Sequence, residues 1–188
     1  MKLSALESER IQLVDLDEAY LEDMFEYSVD KRFYEYLEFE PHQTLAETRE
    51  YFNKLLQRSS QENAHYWFIR LKDDNKVIGS FGVHDIDWRK KIGEISYGLS
   101  AHYWKKGYFN EVLRVVLDYL FFTLDFHRVS AVTSFRNESS IKALLKVGFV
   151  KEGELRDYYF SYQGERYSAV ILGLLKKEYK NSGYRNER

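Results

Sequence analysis

Between residues 65 and 134 the chain sets a meander of strands directly before a strand, helix, strand unit, and few folds accommodate that order. His65–Leu71 and 76–85 are runs rich in aromatic and β-branched residues on either side of Lys72-Asp73-Asp74-Asn75, a turn that predicts an antiparallel hairpin. Ile92–Leu99 follows as a third strand after the polar break at 88–91. Val112, Val116, Tyr119, Leu120 and Leu124 then recur at helical spacing, and Val129, Ala131 and Thr133 alternate as in a strand. Two strands joined through a helix run parallel, by a right-handed crossover. The expected fold class is therefore α/β, with a mixed, mostly antiparallel central sheet flanked by helices.

The remaining segments fit around that sheet. Residues 10–14 read as a short strand, and a helix from Leu16 carries Ala19, Tyr20, Met24 and Phe25 on one side. Residues 27–42 read as a loop or short helix dense in Tyr34, Glu35, Tyr36, Glu38, Phe39 and Glu40, closing on Pro41, the sole proline. Thr44 with Glu47 forms a capping box that opens a helix with Tyr51, Phe52, Leu55 and Leu56 on one side. Residues 139–146 read as a helix ended by Gly148, followed by 149–155, the aromatic Tyr158-Tyr159-Phe160, a turn at Gln163-Gly164 and a strand over 167–175. We read one domain over 1–180 and a polar tail over 181–188.

Composition removes whole classes of function. The 188 residues contain no cysteine, which excludes disulfides, thiolate metal sites and a cysteine nucleophile. A net charge of −2 with both signs interspersed gives no broad basic face, so nucleic acid is not an expected partner. The five histidines show no ligand spacing, and no metal site is expected. No apolar run is long enough for a signal peptide or membrane span, which leads us to expect a cytoplasmic protein that uses no membrane.

The turn between the third strand and the long helix reads Trp104-Lys105-Lys106-Gly107-Tyr108-Phe109-Asn110-Glu111. A glycine there permits positive φ or close approach of a ligand, and the helix start offers free N–H groups and the positive end of its dipole. With two lysines beside it, the turn suits a phosphate or pyrophosphate. It is equally readable as a basic turn that only caps an amphipathic helix.

With these residues in view, the chain resembles the Gcn5-related N-acetyltransferases (GNAT), and among them the RimJ/RimL-like branch that acetylates ribosomal-protein N-termini. The resemblance lies in Leu6-Glu7-Ser8-Glu9-Arg10-Ile11-Gln12-Leu13, in Val77-Ile78-Gly79-Ser80-Phe81-Gly82, in Gly93-Glu94-Ile95-Ser96-Tyr97-Gly98-Leu99, and in the turn itself. The family writes that turn as Gln or Arg, two residues, Gly, one residue, then Gly or Ala; here Trp104 takes the first place and Phe109 the last. The fourth block runs from Asn137 through Ser140 to Gly148-Phe149, and then Glu152-Gly153.

The resemblance implies direct transfer of acetyl from acetyl-CoA to a primary amine, either a protein N-terminus or a small-molecule amine such as an amino sugar. It implies a splayed strand whose backbone at Tyr97, Gly98 and Leu99 meets the thioester and pantetheine. The turn from Trp104 to Asn110 would hold the pyrophosphate, and Asn137 and Ser140 would contact the pantetheine. Leu144 stands where many members carry a tyrosine that protonates the leaving thiolate, and Ser140 is the replacement acid. Tyr159 stands where the branch carries a glutamate base, and Glu94 is the base we expect in its stead. Strand alternation does not say which face Glu94 takes, and an exposed strand carboxylate is the bland alternative. For Ser140 and Asn137 that alternative is local capping. Tyr34, Glu38, His84 and Tyr159 are the expected acceptor contacts, since carboxylates attract an ammonium and rings stack on an acceptor. The rival reading is a non-catalytic acyl-CoA-binding or interaction protein on the same fold, and an aromatic surface makes a homodimer reasonable.

Overall fold

The computed structural model describes residues 6–181, so the expected tail lies outside the described residues except for Asn181. In chain order the elements are β1 Leu6–Glu7, β2 Ile11–Asp15, α1 Leu21–Ser28, α2 Leu45–Ser59, β3 His65–Leu71, β4 Val77–Asp87, β5 Ile92–Leu99, α3 Tyr108–Asp118, β6 Arg128–Ser134, α4 Glu138–Lys146, β7 Val150–Phe160, β8 Arg166–Leu175 and α5 Lys176–Asn181. The strands form one sheet in the order β1-β2-β3-β4-β5-β6-β8-β7. Every neighbouring pair is antiparallel except β5 and β6, which the α3 crossover joins in parallel.

Strand alternation divides the core in two. Ile11, Leu13, Trp67, Ile69, Phe81, Val83, Ile95, Val129 and Ala131 face α3 and α4, and pack on Val112, Leu113, Val116, Leu117 and Leu144. Tyr66, Phe68 and Val77 face the other way and pack on Leu21, Met24 and Tyr27 of α1 and Phe52 and Leu55 of α2. The result is a sheet covered on both faces, as the periodicity predicts. Thr44 caps α2 as expected, its hydroxyl accepting from the Glu47 N–H at 3.3 Å while the Glu47 carboxylate accepts from the Gln43 N–H at 2.7 Å.

Several expectations are corrected. The helix after Leu16 begins only at Leu21, behind a short 3-10 turn that Asp17 caps. The helix expected to continue to Leu124 turns into a π turn at Tyr119–Thr123, which buries both Leu120 and Phe121 against the sheet. The two pieces expected at 149–155 and 158–160 are a single strand, β7, with a register shift between Leu155 and Tyr159. α5 was not expected at all; Tyr179 anchors it against Phe121 at 5.3 Å and Phe122 at 5.9 Å.

What positions the site is a split in the sheet. β5 and β6 pair only over Ile92 with Arg128, Gly93 with Val129 and Glu94 with Ser130. Beyond Glu94, β5 stays with β4 as far as Leu99, while β6 stays with β8 as far as Ser134.

Candidate active site

The split leaves one edge of β5 unpaired. The Ser100 N–H donates to the Ile78 carbonyl at 2.8 Å, and antiparallel alternation from that bond turns the Tyr97 and Leu99 backbone groups away from β4 and into the gap. The Leu99 carbonyl is taken by the Trp104 indole N–H at 2.7 Å. Trp104 thus braces the turn to the strand. The gap itself is a cleft of about 230 Å³ bordered by Glu94, Ser96, Tyr97, Thr133, Asn137, Ser140 and Tyr159, with Glu38 and Phe39 over its mouth.

At the outer end of the cleft lies the turn. Gly107 has φ +86°, a left-handed conformation that glycine adopts without a Cβ penalty, and it serves as the N-cap of α3. The first-turn amides of Tyr108, Phe109 and Asn110 therefore face outward at the positive end of an eleven-residue helix. Lys105 and Lys106 are exposed beside it. Phe109 does not obstruct the turn. Its ring lies inward on Tyr97, 4.3 Å between centroids, and packs against the main core.

Sequence reasoning missed Arg10 here. Its Nη2 donates to the Lys106 carbonyl at 3.1 Å, its Nε donates to Glu111 Oε1 at 2.5 Å, and its guanidinium lies 4.3 Å over the Tyr108 ring. Ser8 Oγ donates to the other Glu111 oxygen at 2.7 Å. The chain between β1 and β2 thereby clamps the turn from below. No local pattern announces such a contact, because the partners are about a hundred residues apart.

Inside the cleft, Tyr97 Oη and Ser140 Oγ are 2.6 Å apart, linking β5 to the first turn of α4 across the split. Burial pushes the Tyr97 phenol up to about 12, so it is protonated at neutral pH, although the Ser140 contact opposes the shift. Asn137 Oδ1 accepts from the Ser140 N–H at 3.1 Å, so Asn137 is a helix cap that also borders the cleft. Leu144, one turn on, is fully buried in the core. The sequence reading gave Tyr97 a backbone role; the structure adds its phenol.

Glu94 lies on the opposite wall, directly across the β4–β5 ladder from His84. Burial holds its carboxyl above the usual range; His84 opposes that shift and Asp85 adds to it. His84 Nδ1 sits 2.8 Å from Asp85 Oδ2. Tyr159, raised by burial and further by Tyr158, Glu94 and Glu38, closes the same wall. Glu38 accepts from the Phe160 N–H at 2.9 Å, tying the loop after α1 to β7.

A second cavity, about 800 Å³, lies on the α1 and α2 side of the sheet and includes Tyr34 and His84 among its walls. Leu37, Phe39, Ser96 and Tyr97 border both spaces, so the two meet at the middle of β5. Of the expected residues, Glu94, Tyr97, Asn137, Ser140, Glu38 and Tyr159 come together in the cleft. Tyr34 and His84 lie in the second cavity, and the turn from Trp104 to Asn110 stands at the end of the gap. Among the described residues no group of His, Asp and Glu side chains could hold a metal ion, and no helix is long and apolar enough to cross a membrane.

The acetyltransferase (GNAT) domain family matches residues 10–150, most of the chain. The chain belongs to this family. It is accordingly an N-acetyltransferase, and it is similar to the uncharacterized N-acetyltransferase p20 of Bacillus licheniformis, to which it is 29% identical over 94% of this chain and 99% of that one. GNAT folds recur among solved structures. A Vibrio cholerae spermidine N-acetyltransferase in complex with CoA and spermine superposes with a TM-score of 0.77 at 20% identity, over 93% of this chain and 100% of that one. The ribosomal L7/L12 α-N-protein acetyltransferase RimL superposes at 0.81 and 15% identity, over 92% and 94%. At these identities the superpositions show a shared fold.

Proposed function

We propose that this GNAT protein transfers acetyl from acetyl-CoA directly to a primary amine, with the cofactor in the β5–β6 split and the acceptor entering from the α1–α2 side. One observation carries the reading: a strand edge with unpaired amides leads from an anion-suited helix start to the point where two cavities meet. The residues fit the cofactor. The Gly107 turn and the first-turn amides of α3 would hold the diphosphate, and the Tyr97 and Leu99 edge would hold the pantetheine arm. Acetyl-CoA supplies, when bound, an acetyl thioester at the cleft.

The chain's own groups then divide the proton work. Glu94, held above the ordinary carboxylate range by burial, takes the proton that an ammonium must lose before its nitrogen can bond to carbon. The Tyr97–Ser140 pair, protonated at neutral pH, returns a proton to the sulfur as the carbon–sulfur bond breaks. Asn137 holds Ser140 in place through its N–H.

The likeness in the turn at Trp104 and in the block through Ser140 supports placement in the RimJ/RimL-like branch. Calorimetric titration with acetyl-CoA and with CoA, followed by thiol release in the presence of amines, tests the proposal. Micromolar binding with amine-dependent release is expected. Binding without release for every amine would refute the proton roles given to Glu94, Tyr97 and Ser140, and no binding would refute the cofactor site.

A further inference from the structure

This inference rests on the acetyl-transfer reading above and concerns what the larger cavity accepts. One wall of that cavity is a chain of rings. Tyr27 and Phe33 are 5.1 Å apart, Phe33 and Tyr34 5.2 Å, Tyr34 and His42 5.8 Å, and His42 and Tyr51 5.9 Å. Across from them Tyr66 lies parallel to His84 at 6.4 Å. Two rings lie flat on the strands because glycines permit it. A Cβ at Gly98 would fall 2.5 Å from the Phe33 ring, and one at Gly82 would fall 2.3 Å from the Tyr66 ring. These two glycines make room for an aromatic floor.

Each carboxylate in the lining already has a partner within the chain. Glu47 accepts from the Gln43 N–H at 2.7 Å, Glu50 pairs with Lys54 at 2.7 Å, and Asp85 holds His84 at 2.8 Å. Arg58 adds a positive charge to the lining. A polyamine places several ammonium groups along its length, and each would need its own carboxylate here.

We propose that the acceptor is a monoamine carried on an aromatic or bulky apolar body, with the amine at the Ser96–Tyr97 junction and the body stacked among Phe33, Tyr34, Tyr51 and Tyr66. Either a free arylalkylamine or the N-terminus of a peptide beginning with an aromatic residue has that chemistry, and about 800 Å³ admits both. The cavity selects by stacking, and the carboxylates in its lining already have partners within the chain.

The test is kcat/KM with acetyl-CoA for phenethylamine, tyramine, a peptide beginning with Phe, one beginning with Ser, and spermidine, in the parent and in Phe33→Leu. At least one aromatic acceptor should exceed both spermidine and the Ser peptide tenfold or more, and the better of free amine and Phe peptide identifies the source. Phe33→Leu should lower the aromatic value at least fivefold while acetyl-CoA binding stays unchanged. Spermidine or the Ser peptide matching the aromatic acceptors would overturn the acceptor class and leave the acetyl-transfer reading standing. Intact acetyl-CoA binding with no acceptor turned over, or no acetyl-CoA binding at all, would overturn both.

Discussion

Gly107→Ala isolates the contribution of the turn to cofactor binding. Gly107 sits at φ +86°, and its added Cβ would lie 3.2 Å from Arg10 Nη2. An L-residue held in that left-handed region costs about 1–2 kcal/mol. The Cβ also presses on a guanidinium that is fixed by the Lys106 carbonyl at 3.1 Å and by Glu111. The free protein can relieve the strain by letting the turn relax, but the bound protein must restore it so that the α3 amides meet the diphosphate. The full cost then falls on binding, and about 1–2 kcal/mol corresponds to about a 5- to 30-fold weaker Kd. Calorimetry with acetyl-CoA measures this directly. The KM of acetyl-pantetheine, which lacks the diphosphate, is the internal control and should not change. An unaltered Kd for acetyl-CoA would remove the turn from the site. An equal loss for both donors would show that the substitution had disturbed the whole cleft rather than the turn.

Arg10→Ala should raise the KM for acetyl-CoA severalfold with kcat unchanged, measured by steady-state thiol release, because Arg10 positions the turn and is remote from the acetyl end. Glu94→Gln should lower kcat/KM about 10²- to 10⁴-fold, the range for loss of a general base. The same variant should unfold at a higher temperature at neutral pH. Folding raises the Glu94 pKa, so ionising it weakens the fold as pH rises through the window between its unfolded and folded values. The stability gain of the variant should therefore vanish below the unfolded value; equal melting temperatures at pH 7 would contradict the argument. Tyr97→Phe and Ser140→Ala should each lower kcat more than they raise KM, and the double variant should be little worse than either single one if the pair acts as a unit. Fully additive losses would mean that the two residues act independently rather than as a pair.

What the sequence disclosed about the site follows the range over which its information acts. The hairpin at 72–75, the Thr44 cap, the positive φ of Gly107 and Gly148 and the α3 crossover are each set by a few neighbouring residues, and all were legible. The pairing of His84 with Glu94 was not. Alternation assigns a residue one of two faces, but register decides its partner, and β4 shifts register just past His84, where Asp85 takes φ +51°. α5 was hidden because Lys-Lys-Glu-Tyr-Lys-Asn is polar, and its anchors, Tyr179 on the π turn and Lys176 on Asp125, are set by tertiary contacts. Arg10 and the Tyr97–Ser140 pair were invisible for the same reason, since each joins residues far apart in the chain.

The split itself links the legible part to the hidden part. A β strand that loses its neighbour leaves backbone N–H and C=O groups without partners, and buried groups of that kind are filled by something. Here the Leu99 carbonyl is met by Trp104 and the α4 end of the gap is bridged by Tyr97 and Ser140, which leaves the Tyr97 amide between them facing the cleft. Closing the gap would require β6 to follow β5 past Glu94, and its seven-residue pairing with β8 holds it on the other course. The open edge is therefore maintained by the rest of the sheet. The shape that accepts a cofactor arm is a property of the strand pairing as a whole, and the individual side chains in the cleft act on what that pairing has already placed.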